Sequence, residues 1–268
     1  MASQTKLEPR STARAVTTLG VVSFLNALPL YESLLGREDV AIVPRVPSGL
    51  AELLAARQCE AALLPVAAYW RDRSRWRMVS DGCIASDGET MTVRVFSKVP
   101  PDAVRRLHVD GDSRTSVVLA QVIWRELYAR PLKLAPWGPT TAHTDPANVE
   151  AVLLIGDKVV REAPRGYGFE VDLGAAWKHL TGLPFVFAAW FADADGDHGA
   201  ITAELAAARD VGVAGVARIA RQYAPAHGWP EPLALQYLRD AMRYTITDAM
   251  RSGMERFFEL AVRHELLR

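Results

Sequence analysis

Cysteine is nearly absent: Cys59 and Cys83 are the two thiols of a chain of 268 residues. So low a count excludes a disulfide framework and a cysteine-built metal centre, and fits buried free thiols in a reducing compartment. An excess of either charge is also missing. Lys plus Arg and Asp plus Glu each number 31, so the formal net charge is zero, and no electrostatic footprint for nucleic acid or an acidic membrane surface is present. No run reaches the about 18 consecutive apolar residues of a membrane span. Several catalytic signatures are missing too: there is no Walker-type phosphate loop, no Gly-x-Gly-x-x-Gly after the first strand, no Gly-x-Ser-x-Gly elbow and no His-Glu-x-x-His. The six histidines, His108, His143, His179 and His198 among them, are scattered and read as structural or solvated.

What is present is ample apolar material. Half of the residues are hydrophobic, enough for one large α/β domain or two modest lobes. Residues 1–15 read as a short disordered leader. The apolar run behind it contains Thr17, Thr18, Ser23 and Asn26 and has no small-residue cleavage site, so a cytoplasmic location is expected. Short apolar strands then alternate with helices, the pattern of parallel sheets with crossover helices. Strands are expected at 19–24, 40–46, 61–66, 79–84, 92–96, 107–109, 132–137, 151–155 and 185–191. A helix over 174–181 is closed by Gly182, with Pro184 just beyond. From Asp193 onward the chain reads as helical. In the last helix, 248–267, Met250, Met254, Phe257, Phe258 and Ala261 form one apolar face, the pattern of core packing. The Pro100-Pro101 segment looks like a joint. The expected organisation is two lobes, 16–97 plus 193–268 and 98–192, with a ligand cleft between them.

Two segments suggest chemistry. In Val22-Ser23-Phe24-Leu25-Asn26-Ala27-Leu28-Pro29 an apolar run delivers one carboxamide at the carboxyl end of a strand. Ligands bind at such ends in α/β proteins, so Asn26 either touches a small molecule or closes its own turn. In Asp110-Gly111-Asp112-Ser113-Arg114-Thr115-Ser116 a strand turns into a helix. The free N–H groups and dipole of that helix start, with hydroxyls from Ser113, Thr115 and Ser116 and the charge of Arg114, form an anion site; capping alone needs just one of these side chains. Asp157, behind the strand that ends in Ile155-Gly156, either faces the cleft or caps the next turn.

Five motifs in order carry a family resemblance. Val22 to Leu30, Ser86-Asp87-Gly88 through Thr92, Ser113-Arg114-Thr115-Ser116-Val117, Val152-Leu153-Leu154-Ile155-Gly156-Asp157, and Leu180-Thr181-Gly182-Leu183-Pro184-Phe185-Val186-Phe187-Ala188 together resemble the chorismate dehydratases, which open the futalosine route to menaquinone. The resemblance runs from about residue 19 to about 191, and more loosely to the end. It implies a two-lobe type II periplasmic-binding-protein-like α/β fold in a cytoplasmic enzyme, monomeric or homodimeric, that needs no metal or organic cofactor. The implied reaction converts chorismate to 3-[(1-carboxyvinyl)oxy]benzoate and water. Asn26 and Thr92 are then the implied catalytic residues, with substrate contacts from Ser86, Gly88, Ser113, Arg114, Thr115, Ser116, Gly156 and Asp157. Thr92 stands where the family tends to have serine, and Glu89-Thr90 where it has Pro-Val; the added methyl is stiffer at χ1 and leaves room for a changed substrate. Glu89 reads as an exposed loop residue. The reading from another class is a non-catalytic solute-binding or sensory protein of the same fold, binding a small carboxylate. A sister enzyme late in the same route carries a Ser-Pro-Cys-Pro-Asn-Asp-like signature, which Phe24-Leu25-Asn26-Ala27 does not fit.

Overall fold

Apolar runs of five or six residues, each followed by a helical segment, build the parallel part of the first sheet. The computed structural model describes residues 16–110, 114–137 and 149–267; the leader expected over 1–15, Ser113 and His143 lie outside them. β1 (Thr17–Val22) leads into a buried 3-10 helix, Leu25–Leu30, and then come β2 (Val40–Arg45), α1 (Pro47–Ala55), β3 (Ala61–Pro65), α2 (Val66–Arg71) and β4 (Trp76–Ser86). The middle of the chain supplies β5 (Val93–Ser97), β6 (Arg106–Val109), α3 (Arg114–Tyr128), β7 (Lys133–Pro136), β8 (Ala151–Ile155), α4 (Lys158–Arg161), β9 (Phe169–Asp172) and α5 (Leu173–Thr181). The last part holds β10 (Phe185–Asp193), α6 (Gly199–Ala214), α7 (Val216–His227), α8 (Glu231–Gln236), a π-helical segment Tyr237–Ala241, β11 (Met242–Thr245) and α9 (Asp248–Arg263).

The strands form a six-stranded sheet in the order β11-β4-β10-β3-β1-β2 and a five-stranded sheet in the order β7-β6-β8-β5-β9. Each is parallel in one part, β2-β1-β3 and β7-β6-β8, as the alternating pattern predicts. The remainder is antiparallel, which the sequence reading did not foresee. The path of the chain explains it: β10 returns from the second sheet and fills the gap between β3 and β4 from the opposite direction.

The strands that cross between sheets also move the expected joints. β5, assigned to the first unit, pairs with β8 and β9, and β10, largely assigned to the second, pairs with β3 and β4. The chain therefore crosses at residues 87–92 and 182–184, not at 98 and 192. Pro101–Ala103 is a 3-10 turn between β5 and β6, whereas Gly182, left-handed at φ 72°, ends α5 and redirects the chain. The tail differs too. It is not helical throughout: β11 extends the first sheet along β4.

The core is continuous across both sheets. Trp177 on α5 stands edge-on to Phe185 on β10 at 5.3 Å, and Phe257 on α9 meets Phe185 at 5.0 Å. Met250, Met254, Phe257, Phe258 and Ala261 are all buried, so the apolar face of α9 is core. Both cysteines are free and buried, and burial raises the Cys59 thiol to about 11. Among the described residues no helix is long and apolar enough to cross a membrane.

One close approach fixes the first crossing. A Cβ on Gly174, at the start of α5, would lie 2.4 Å from the Gly88 carbonyl oxygen and 2.4 Å from Thr90 Cγ2. Gly174→Ala is expected to lower the unfolding free energy by about 1–3 kcal/mol through overpacking against backbone. Urea melts of the variant check this, and an unchanged midpoint contradicts the account.

Candidate active site

Strand ends from both sheets meet at one cavity. Val22, Pro65 and Ile155, the last residues of β1, β3 and β8, line a shared cavity together with Phe24, Ile84, Phe187 and Met242. Its polar wall consists of Asn26, Thr90, Thr92, Thr115 and Ser116. This is the crevice beyond the carboxyl ends of parallel strands, where open α/β sheets bind ligands. Among the described lining residues none carries a charge. Pro47, the first residue of α1, and Thr115 and Ser116, in the first turn of α3, bring two helix N-termini to the wall, so partial positive charge faces the cavity.

Asn26 sits in the 3-10 helix just beyond β1, not on the strand. Its Nδ2 donates to Tyr237 Oη at 2.8 Å, and Thr92 Oγ1 lies 2.7 Å from the same phenol oxygen. Asn26 Oδ1 is buried without a hydrogen-bond partner. Tyr237 is fully buried. Burial, with a smaller push from the Asp157 carboxylate, raises its phenol well above the usual tyrosine range, so the hydroxyl keeps its proton at any ordinary pH. Its ring stacks on Trp229 at 4.8 Å and 12°. Sequence reasoning missed Tyr237, and no local pattern marks it: it lies 211 positions from Asn26.

Thr92 is placed by the crossing itself. The Asp172 carboxylate accepts from Thr90 N at 3.0 Å, Thr90 Oγ1 at 2.9 Å and Met91 N at 2.9 Å, and it also caps α5 through Gly174 N and Ala175 N. Met91 is held left-handed at φ 63°, a conformation that a side chain of this size avoids unless its surroundings impose it. Ser86 Oγ donates to the Gly88 carbonyl at 3.1 Å. Ser86 and Gly88 thus shape this loop and do not line the cavity. Glu89 is exposed and pairs with Arg94 at 2.6 Å.

The structure separates the remaining expected contacts. Thr115, Ser116 and Gly156 line the cavity. Thr115 Oγ1 also accepts from Ala67 N at 3.1 Å, tying α3 to the start of α2 across the cleft. Arg114 is exposed and is not on the wall: as the first residue of α3 it falls on the solvent side, while Thr115 and Ser116 turn inward. Ser113 lies outside the described residues. Gly156, at φ 59°, packs against Phe24, whose ring a Cβ would meet at 2.9 Å.

Asp157 neither lines the cavity nor caps α4 through its side chain. It accepts from Leu25 N at 3.3 Å, from His227 Nδ1 at 2.7 Å and from Trp229 Nε1 at 2.8 Å. The carboxylate therefore supports the indole on which Tyr237 stacks. Asp157→Ala leaves these donors unpaired and is expected to cost about 1–3 kcal/mol of stability, measurable by chemical denaturation; a variant as stable as the parent contradicts this role.

With this geometry in view, the chain can be set beside known proteins. A family model described as menaquinone biosynthesis matches residues 17–263. A chorismate dehydratase of Thermus thermophilus is 27% identical over 258 residues, covering 90% of this chain and 93% of that protein. Among solved structures, a protein of Archaeoglobus fulgidus superposes with a TM-score of 0.71 at 14% identity, over 96% of this chain and all of that one. The alkanesulfonate-binding protein SsuA of Xanthomonas axonopodis pv. citri, bound to MOPS, gives 0.68 at 11% identity, over 96% of each chain. Those likenesses show the fold, the periplasmic-binding-protein arrangement that the sequence motifs imply. The match over residues 17–263 shows that the chain belongs to the menaquinone biosynthesis family.

Proposed function

We propose that this protein is a chorismate dehydratase, a lyase that converts chorismate to 3-[(1-carboxyvinyl)oxy]benzoate and water. The observation that carries the reading is the cavity wall: neutral hydrogen-bonding groups and two helix N-termini around an apolar chamber. Such a wall suits a small anionic ring. The first turn of α3 is the seat for one carboxylate, through backbone N–H groups and the hydroxyls of Thr115 and Ser116. Phe24, Ile84, Phe187 and Met242 enclose the diene and exclude water.

The chemistry asks little of the protein. Loss of the C4 hydroxyl and the C3 proton makes the ring aromatic, so the reaction runs strongly downhill. The C3–H is vinylogous to the ring carboxylate; its electron pair enters a dienolate and then expels the C4–O bond. Among the described lining residues none is a general base at neutral pH. The enolpyruvyl carboxylate of the substrate therefore takes the C3 proton and returns it to the departing hydroxyl, which leaves as water. The protein's share is to hold the conformer in which that carboxylate reaches C3, and to stabilise the developing charge with fixed dipoles. Asn26 and Thr92 provide that hold beside the reacting carbons. Among the described residues no three His, Cys, Asp or Glu side chains gather as a metal ligand set.

The test is direct. Purified protein incubated with chorismate is expected to form the aromatic enol ether, followed by ultraviolet absorbance and mass, at a rate that a chelator does not change. Asn26→Ala is expected to lose at least about a hundredfold in kcat/KM while its circular dichroism and melting temperature match the parent. Binding of chorismate without turnover would instead favour the solute-binding reading.

A further inference from the structure

The buried polar junction behind the cavity assigns a role to a residue that neither the motifs nor the lining reveals. We infer that Tyr237 is a positioning residue, holding the Asn26 carboxamide by its nitrogen so that the unpaired oxygen, buried at the cavity wall, accepts a hydrogen bond from a hydroxyl of the ligand. This deepens the dehydratase reading and rests on it for the identity of that hydroxyl, the C4–OH of chorismate.

Proton counting along the junction gives the direction. Asn26 Nδ2 donates to Tyr237 Oη at 2.8 Å. A phenol has one proton, and the remaining neighbour is Thr92 Oγ1 at 2.7 Å, so Tyr237 donates to Thr92. The Thr92 hydroxyl proton is then left for the Thr90 carbonyl, a long contact at 3.5 Å, or for a ligand. With its nitrogen committed to Tyr237, Asn26 has its oxygen left over, and that oxygen is buried with no partner. A buried acceptor left unpaired costs free energy, which a ligand hydroxyl recovers on binding. The junction thus leaves one acceptor on Asn26 and one donor on Thr92, both bonded to the same phenol, for a hydroxyl group of the ligand.

Three features hold Tyr237 in place for this task. Its ring is stacked on Trp229, whose indole N–H is anchored on Asp157. The residue opens a π-helical segment, Tyr237–Ala241, a distortion of helix geometry found often at functional sites. Full burial keeps the phenol neutral, so it serves both neighbours with one fixed proton order.

Tyr237→Phe keeps the ring and its stack and removes the hydroxyl alone. Tyr244→Phe is the control, because Tyr244 is also buried and its hydroxyl has no protein partner. Two readouts are needed. In the first, Tyr237→Phe is expected to lose about tenfold or more in kcat for chorismate, with KM within about threefold, while Tyr244→Phe stays within about threefold in both. In the second, which needs no turnover, the Asn26 side-chain NH2 signal is assigned in 15N-labelled protein by its loss in Asn26→Ser. Its hydrogen exchange is expected to be slow in the parent and about tenfold or more faster in Tyr237→Phe. Unchanged exchange in Tyr237→Phe overturns the positioning role, and so does parental kcat in that variant. If the parent makes no product from chorismate, the dehydratase reading falls, and the exchange measurement alone decides whether Tyr237 orients Asn26.

Discussion

Five donors converge on the carboxylate of Asp172, and the arrangement of the cavity depends on that convergence. Thr90 N, Thr90 Oγ1 and Met91 N come from the crossing between the two sheets, and Gly174 N and Ala175 N come from the start of α5. One ionised side chain thereby serves as helix cap and as loop clamp. A carboxylate taken partly out of water is tolerated where so many N–H and O–H groups replace its hydration. What the clamp fixes is the phase of β5: with Thr90 held and Met91 forced left-handed, Thr92 turns inward toward Asn26 and Tyr237. Thr90 and Val93, on either side of it, reach the same wall.

The second constraint is electrostatic. The described wall has no charged side chain, although the ligand proposed for it is anionic. Helix N-termini and neutral donors make up that deficit, since partial charges aimed at a fixed point act strongly where water is excluded and do not have to reorganise. A lysine or arginine in the same place would hold the anion more tightly but would also stabilise the ground state. Neutral, directional donors suit a reaction in which the charge migrates across a ring, because they favour one geometry over the charge itself.

Much of the architecture was legible in the sequence, for local reasons. The strand runs, the Gly182 stop and the apolar stripe of α9 are short-range signals, and the structure contains each. Asn26 stood out because a carboxamide in an apolar run needs an explanation, and Thr92, Thr115, Ser116 and Gly156 stand with it around one cavity. Arg114 did not: position in a helix turn decides which way a side chain faces, and the sequence alone does not give the phase of a helix start. The joints were misplaced because two prolines resemble a linker, whereas the real crossings are made by strands whose partners lie far along the chain. Tyr237 was invisible for the same reason. Its place depends on Trp229, Asp157 and Asn26, three residues from three different parts of the chain.

Asp157 belongs to the loop after β8 in the second sheet, while Leu25, His227 and Trp229 all sit on segments that pack with the first. The bond between Ala67 and Thr115 spans the same divide. A separation of the sheets wide enough to pass a six-membered ring cannot spare one of these bonds and break another. These bonds tie the two sheets together beside the cavity, so a ligand that needed the sheets to part would have to break them as a group.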